Sequence, residues 1–188
     1  MGKTTDTRQR MVQSAAVLLR EEGVHGASFP KVLKLADAPR GSLQHHFPGG
    51  KREMIADSVR WAGGLATTAM QRADANGATP REIVEGVVQN YRRVFEDSGS
   101  RAACPVGAVA NESFDDDELR QAVADVFGDW RQTLSGAIER TGETRHRSEQ
   151  LTDVAIAAIE GALMVARVDR STIALDNVLT VLAELLPG

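Results

Sequence analysis

The stretch Ser28-Phe29-Pro30-Lys31-Val32-Leu33-Lys34-Leu35-Ala36-Asp37-Ala38-Pro39-Arg40-Gly41-Ser42-Leu43-Gln44-His45-His46-Phe47 contains two short helical patterns and a break. Phe29, Val32, Leu33 and Ala36 recur at helical spacing, with Ser28 placed to cap and Pro30 tolerable in the first turn. Asp37-Ala38-Pro39 interrupts the helix, and a second one is expected from about Arg40 to His46. Two short helices across a tight turn form a helix-turn-helix, whose second helix lies in the major groove of DNA. Leu43 and Phe47, four apart, anchor that helix. Arg40, Ser42, Gln44 and His45 are left to point outward, and Gly41 permits close approach to phosphate. Arginine can bridge guanine acceptors, and glutamine can pair with adenine.

Outward from this stretch, the rest of the 188 residues also reads as helix. Met11, Val12, Ala15, Leu18 and Leu19 form a first stripe that Gly23 stops. Gly49-Gly50 break the chain before a long helix opening at Lys51. Thr79-Pro80-Arg81-Glu82 combines a capping box with proline at the first helical position. Asp115 and Glu118 are candidate caps for a helix whose stripe includes Phe127 and Trp130. Thr141 to Ser148 reads as a polar connection. No alternating strand pattern and no internal repeat appears. The expectation is an all-α fold of about nine helices, with a three-helix DNA-binding domain over 1–50 and a helical effector-binding and dimerisation domain over 51–188.

Charge divides the same way. Net charge is −4, but residues 1–60 carry ten Lys/Arg against six Asp/Glu, whereas residues 61–188 carry twelve against twenty. A basic head on an acidic body suits phosphate binding, because the attraction is short-ranged in physiological salt. No uninterrupted apolar run is long enough to span a membrane. The polar N-terminus lacks the apolar middle of a secretion signal, and the single cysteine forms no internal disulfide, so a cytoplasmic protein is expected.

Other constellations point to no chemistry. His45 and His46 are adjacent on a helix and do not face a common metal. Glu143-Thr144-Arg145-His146 is half of a di-iron carboxylate motif without a second half. Asp115 to Glu118 reads as ordinary acidic residues at a helix start. There is no nucleophile–base pair, no complete metal set and no glycine-rich phosphate loop, so neither catalysis nor a cofactor is expected.

The run Ala38-Pro39-Arg40-Gly41-Ser42-Leu43-Gln44-His45-His46-Phe47-Pro48-Gly49-Gly50-Lys51 resembles the signature of the TetR family of repressors. Its Pro-Gly-Gly insertion, together with Cys104-Pro105-Val106-Gly107-Ala108, resembles the LmrA/YxaF-like branch. The resemblance implies a nine-helix homodimer that binds an inverted-repeat operator and leaves it when a small molecule fills the body. It also implies a phosphate contact from Lys51. The family usually has tyrosine at the position of Gln44, so this residue either donates to phosphate or reads a base. Ser28 and Lys31 complete the expected DNA-binding set.

For the body, a small and largely apolar effector is expected, since the central helices offer few inward-facing charges. Trp61, Tyr91, Phe95, Phe127, Trp130 and Met164 are the candidate lining, with Phe114 as a further aromatic. Cys104 and Asn111 lie in the segment resembling the family's pocket-side helix. The two closing helices are apolar nearly all round and must be covered. Leu151, Ala155, Ile159, Leu175, Leu179 and Leu182 are therefore expected either to meet a second copy or to form the monomer core.

Overall fold

The computed structural model describes residues 2–113 and 115–188, and these form nine helices and no strand. The helices are α1 (Gly2–Gly26), α2 (Phe29–Leu35), α3 (Ser42–His46), α4 (Gly50–Ala75), α5 (Pro80–Asp97), α6 (Pro105–Glu112), α7 (Asp117–Glu139), α8 (Arg145–Asp169) and α9 (Ile173–Leu185). The all-α expectation holds.

Local chemistry explains most of the boundaries. The capping box forms in full: Glu82 N–H donates to Thr79 Oγ1 at 3.3 Å, and Thr79 N–H donates to Glu82 Oε2 at 2.8 Å. The bond from the Thr79 backbone, and then the Thr79 side chain, hold the Glu82 carboxyl below its usual range. At the start of α7 the cap is Asp116, between the two acids read from sequence. Its Oδ1 accepts from the backbone of Glu118 and Leu119 at 3.1 and 3.2 Å. The supposed polar connection is shorter than expected, because Thr144 caps α8 through Arg147 N–H. Ser28 occupies the N-cap position of α2 with extended backbone, but its side chain makes no capping bond. Arg40 and Gly41 lie in the turn, so α3 begins two residues later than the pattern suggests.

The chain divides into two compact units, Met1–Gly64 with Pro105–Val126, and Leu65–Cys104 with Phe127–Gly188. The boundary expected at residue 50 falls inside the first unit. There α1 packs on α2 and α6, around a core that includes Met11, Ala15, Leu19, Val32, Phe47, Met54 and Val59. In the second unit α9 packs on α8 and α5, with Ile83, Val88, Phe95, Leu134, Ile138, Leu163 and Leu175 buried.

The closing helices are two-faced within the chain. Leu151, Ala155, Ile159, Leu175 and Leu182 are buried by their own chain, and Leu179 is half-buried. The bare apolar side is made of Val154, Met164, Val165 and Val168 on α8, and Ile173, Val181 and Leu185 on α9. No helix among the described residues is long and apolar enough to cross a membrane.

Candidate DNA-binding surface and internal cavity

In the first unit, α3 is fixed from below. Phe47, its C-cap, is 1 % exposed and lies under the Arg8 guanidinium, 4.9 Å from the ring centroid. Arg8 also donates to the His46 carbonyl at 3.2 Å and pairs with Asp57 on α4. Arg10 donates to the Ala36 carbonyl at 3.1 Å, tying α1 to the end of α2. Asp37 then turns the chain with a left-handed φ of 48°. The Asp side chain tolerates that region better than most.

This scaffold leaves Arg40, Gly41, Gln44 and His45 exposed, with Ser42 half-buried beside them. Among the described residues, neither the Arg40 nor the Gln44 side chain is engaged by a hydrogen bond or ion pair of the chain. Gly41 has an ordinary φ of −72°, and a Cβ there would meet nothing within 4 Å. The fold itself thus places no demand for glycine at this position. His45 and His46 rings meet edge to face, 4.9 Å apart. Burial, and then the His45 and Arg8 charges, hold His46 below the usual histidine range. Among the described residues no cluster of three or more metal-ligating side chains occurs.

The remaining basic candidates are occupied to different degrees. Lys31 is exposed and pairs with Glu22. Lys51 is half-buried, and its Nζ donates to the Val24 carbonyl at 2.7 Å, leaving two of its three protons for another acceptor. The amide of the same Val24 donates to Glu112 Oε2 of α6 at 3.1 Å. Gly23 has φ 75°, and a Cβ there would come within 2.2 Å of Glu112 Oε1. The positive φ is what favours glycine here, since the Glu112 carboxylate that sits against the α1 backbone is the end of a flexible side chain and could shift. Sequence reading missed Glu112, since its role depends on a partner 88 residues away.

The second unit holds a cavity of about 40 Å³. Its walls are Ala66 and Met70 of α4, Val84, Val87 and Tyr91 of α5, Trp130 and Leu134 of α7, and Ala155, Ile156, Ile159 and Glu160 of α8. Of the residues expected to line a pocket, Tyr91 and Trp130 do so. Cys104 stands just behind, buried, and its Sγ accepts from Tyr91 Oη–H at 3.2 Å. Its thiol in turn donates to the Glu160 carboxylate. Phe95 is buried outside the lining. Phe127 meets Trp130 at a tilt of 56°, with centroids 5.5 Å apart. Met164 is 60 % exposed, and Trp61 and Asn111 belong to the first unit. Phe114 lies outside the described residues. Glu160, one residue beyond the predicted Ile159, escaped sequence reading because a single acid in an apolar helix looks like a solvated one. Burial raises its carboxyl above the usual range, although the Cys104 hydrogen bond draws it back. Burial, and then Cys104 and Glu160, push the Tyr91 hydroxyl well above its usual value.

Comparison with known proteins covers both units. Residues 80–181 match the family model described as transcriptional regulator LmrA/YxaF-like, C-terminal domain. An HTH-type transcriptional regulator of Mycobacterium tuberculosis is 34% identical over 185 residues, covering 95% of this chain and 93% of its own. The HTH-type transcriptional repressor DhaR of Mycobacterium sp. (strain GP1) is 27% identical over 98% of this chain and 94% of its own. A TetR transcriptional regulator from Legionella pneumophila shares the fold with a TM-score of 0.86, at 18% identity over 95% of this chain and 96% of that one.

Proposed function

Since the chain belongs to the TetR family of transcriptional regulators, in its LmrA/YxaF-like branch, we propose that it is a repressor that binds an inverted-repeat operator as a homodimer and leaves it when an effector fills the cavity of its second unit. The observation that carries this reading is the α3 surface. Arg40, Gly41, Gln44 and His45 are exposed on and beside a short helix whose other side is pinned by Phe47 and Arg8. Ser42 and Lys51 complete a rim for the phosphate backbone, with Ser28 and Lys31 at the start of α2. Phosphate contacts set register, and base contacts set sequence. Arg40 is assigned to a guanine, and Gln44 to a base or a phosphate.

The dimer is assigned to the bare side of α8 and α9. A contiguous apolar face of this kind marks an interaction site, and a homodimer matches the two-fold symmetry of an inverted repeat. Its centre is Val165 and Val181 rather than the residues the chain already buries.

Release follows from a chain of short links. Tyr91 lines the cavity and donates to Cys104. The next residue, Pro105, opens α6, which packs on α1. At the other end of α6, Glu112 accepts from the Val24 amide, whose carbonyl accepts from Lys51 at the start of α4. An effector that shifts α6 thus disturbs the Val24 peptide and the lysine assigned to phosphate. Operator binding requires recognition helices about one DNA turn apart, roughly 34–36 Å. An effector needs only differential affinity for two spacings to release the protein.

The test is DNA binding on an operator selected from the protein's own genomic surroundings. Arg40→Ala should cost roughly 1–3 kcal/mol on that operator and relax sequence preference at one base pair of each half-site. Equal binding by the variant and the parent would remove Arg40 from the assignment.

A further inference from the structure

Two arginines of α1 meet the ends of the two helices in the helix-turn-helix. Arg10 donates to the carbonyl of Ala36, the C-cap of α2, at 3.1 Å. Arg8 Nε donates to the carbonyl of His46, the last residue of α3, at 3.2 Å. The final carbonyls of a helix lack partners within it, and a cation at that end also meets the negative end of the helix dipole. α3 has only 5 residues, and helices shorter than about 12–15 residues are marginal by themselves in water. Its conformation and its direction are therefore set from outside.

Arg8 does more than cap. Its guanidinium lies over Phe47, the C-cap residue of α3, and its Nη2 pairs with Asp57 and, at 3.4 Å, with Glu53 on α4. The second oxygen of Glu53 accepts from the Gly49 amide at 2.8 Å, in the turn between α3 and α4. One planar fork thus joins three helices. α1 carries it, α4 fixes it with two carboxylates, and α3 ends on it. All of these residues belong to the first unit. The further bonds of Arg10, to Asp6 and Thr7, stay on its own helix.

An arginine in a basic head is ordinarily read as a phosphate contact, and the contrast with Arg40 decides against that here. The Arg40 side chain is exposed and unengaged, open to DNA. Arg8 has its charge matched by two carboxylates and its donors directed at protein acceptors. Its charge adds little to phosphate attraction, whereas its geometry bears on where α3 points.

We infer that Arg8 is a positioning residue for operator recognition, fixing the direction of α3 between α1 and α4 so that Arg40 and Gln44 meet the DNA, without touching the DNA itself. This rests on the reading of α3 as the recognition helix. The role requires the planar fork. Lysine keeps the charge, but as a point charge on a flexible stem it cannot lie flat on Phe47 while donating to both His46 and Asp57.

The experiment uses the full-length protein, its operator and a duplex of unrelated sequence. Affinity for both duplexes is titrated over a range of salt for the parent, Arg8→Ala, Arg8→Lys and Asp57→Ala. The ratio of operator affinity to unrelated-duplex affinity should fall about tenfold in each variant, the scale of one lost base contact. The salt slope on the unrelated duplex should stay at the parent's value in Arg8→Ala and Arg8→Lys. Asp57→Ala discriminates most sharply. It removes a negative charge from the head, so electrostatics alone would tighten binding to every sequence, whereas a displaced α3 loosens the operator selectively. The inference is overturned if Asp57→Ala is as selective as the parent or more so, or if Arg8→Lys keeps the parent's selectivity. It is also overturned if Arg8→Ala weakens both duplexes by one factor and lowers the salt slope by about one, as loss of a phosphate contact would. Amide exchange without DNA gives a readout independent of the repressor reading. The Phe47 amide donates to the Leu43 carbonyl at 2.8 Å, and it should exchange at least about tenfold faster in Arg8→Lys than in the parent. If the parent selects no operator, the repressor reading fails, and the hold of Arg8 on α3 is decided by that exchange rate: a rate equal to the parent's overturns it.

Discussion

The α3 surface and the internal cavity place their polar groups in opposite ways. At α3 the polar side chains stand in water on a helix fixed by one buried ring and one arginine. In the cavity a single carboxyl and a phenol are held among apolar walls contributed by four helices. The first arrangement costs little in stability and leaves its donors open to a large, charged partner. The second sets an acid among apolar walls, and burial raises its carboxyl above the usual range.

The widest separation between the two regions should come from the bare face of α8 and α9. Val165→Arg or Val181→Arg replaces an exposed residue and leaves the monomer core untouched. It should yield soluble monomers that keep helicity but bind operator about a hundredfold or more weakly, since two tethered half-site contacts bind far better than one. Light scattering and operator titration check this. A stable dimer of normal affinity would place the interface elsewhere.

A smaller effect is expected at Lys51, which has a structural bond as well as an assigned phosphate contact. Lys51→Ala should lower the salt slope of DNA binding by about one unit for each phosphate the lysine neutralises, with sequence preference unchanged. It should also cost about 1 kcal/mol in stability by removing the bond to Val24. An unchanged salt slope with a measurable drop in stability would make Lys51 a purely structural residue.

The smallest effect concerns Glu160. Its folded-state acidity is weakened, so the folded chain binds the proton more tightly than the unfolded chain does. Its stability contribution is therefore fully favourable below the ordinary carboxylate range and is lost as pH rises through the folded-state titration. Glu160→Gln should raise the melting temperature modestly at neutral pH and leave it nearly unchanged under acid conditions. A destabilised variant at neutral pH would mean that the carboxylate is compensated by a group not identified in the cavity walls.

The sequence carried the head further than the body, for a physical reason. The elements around α3 are determined locally: Pro39 and Asp37 make the turn, Phe47 anchors, the turn leaves Arg40 outside, and the helix face away from Phe47 leaves Gln44 there. The same holds for the capping box at Thr79 and Glu82. The body is determined by which helix faces meet. Leu175 and Leu182 look equally suited to a core or a dimer, and only packing on α8 and α5 decides that they are core. Met164 has the character of a pocket residue and stands exposed, while Glu160 has the character of a surface residue and lines the cavity. Glu112 acquires its role from the close approach of Gly23, a contact that no local pattern announces.

The proposed function requires coupling between DNA at α3 and a small molecule in the second unit. It can be measured by taking any compound found to quench Trp130 and determining its affinity with and without operator, alongside operator affinity with and without the compound. Binding free energies are reciprocal, so the two ratios must agree. Operator should weaken the compound's binding by the same factor, about 5–150-fold for typical coupling energies, by which the compound weakens operator binding. A compound that fills the cavity with identical affinity in the presence and absence of operator would contradict the coupling.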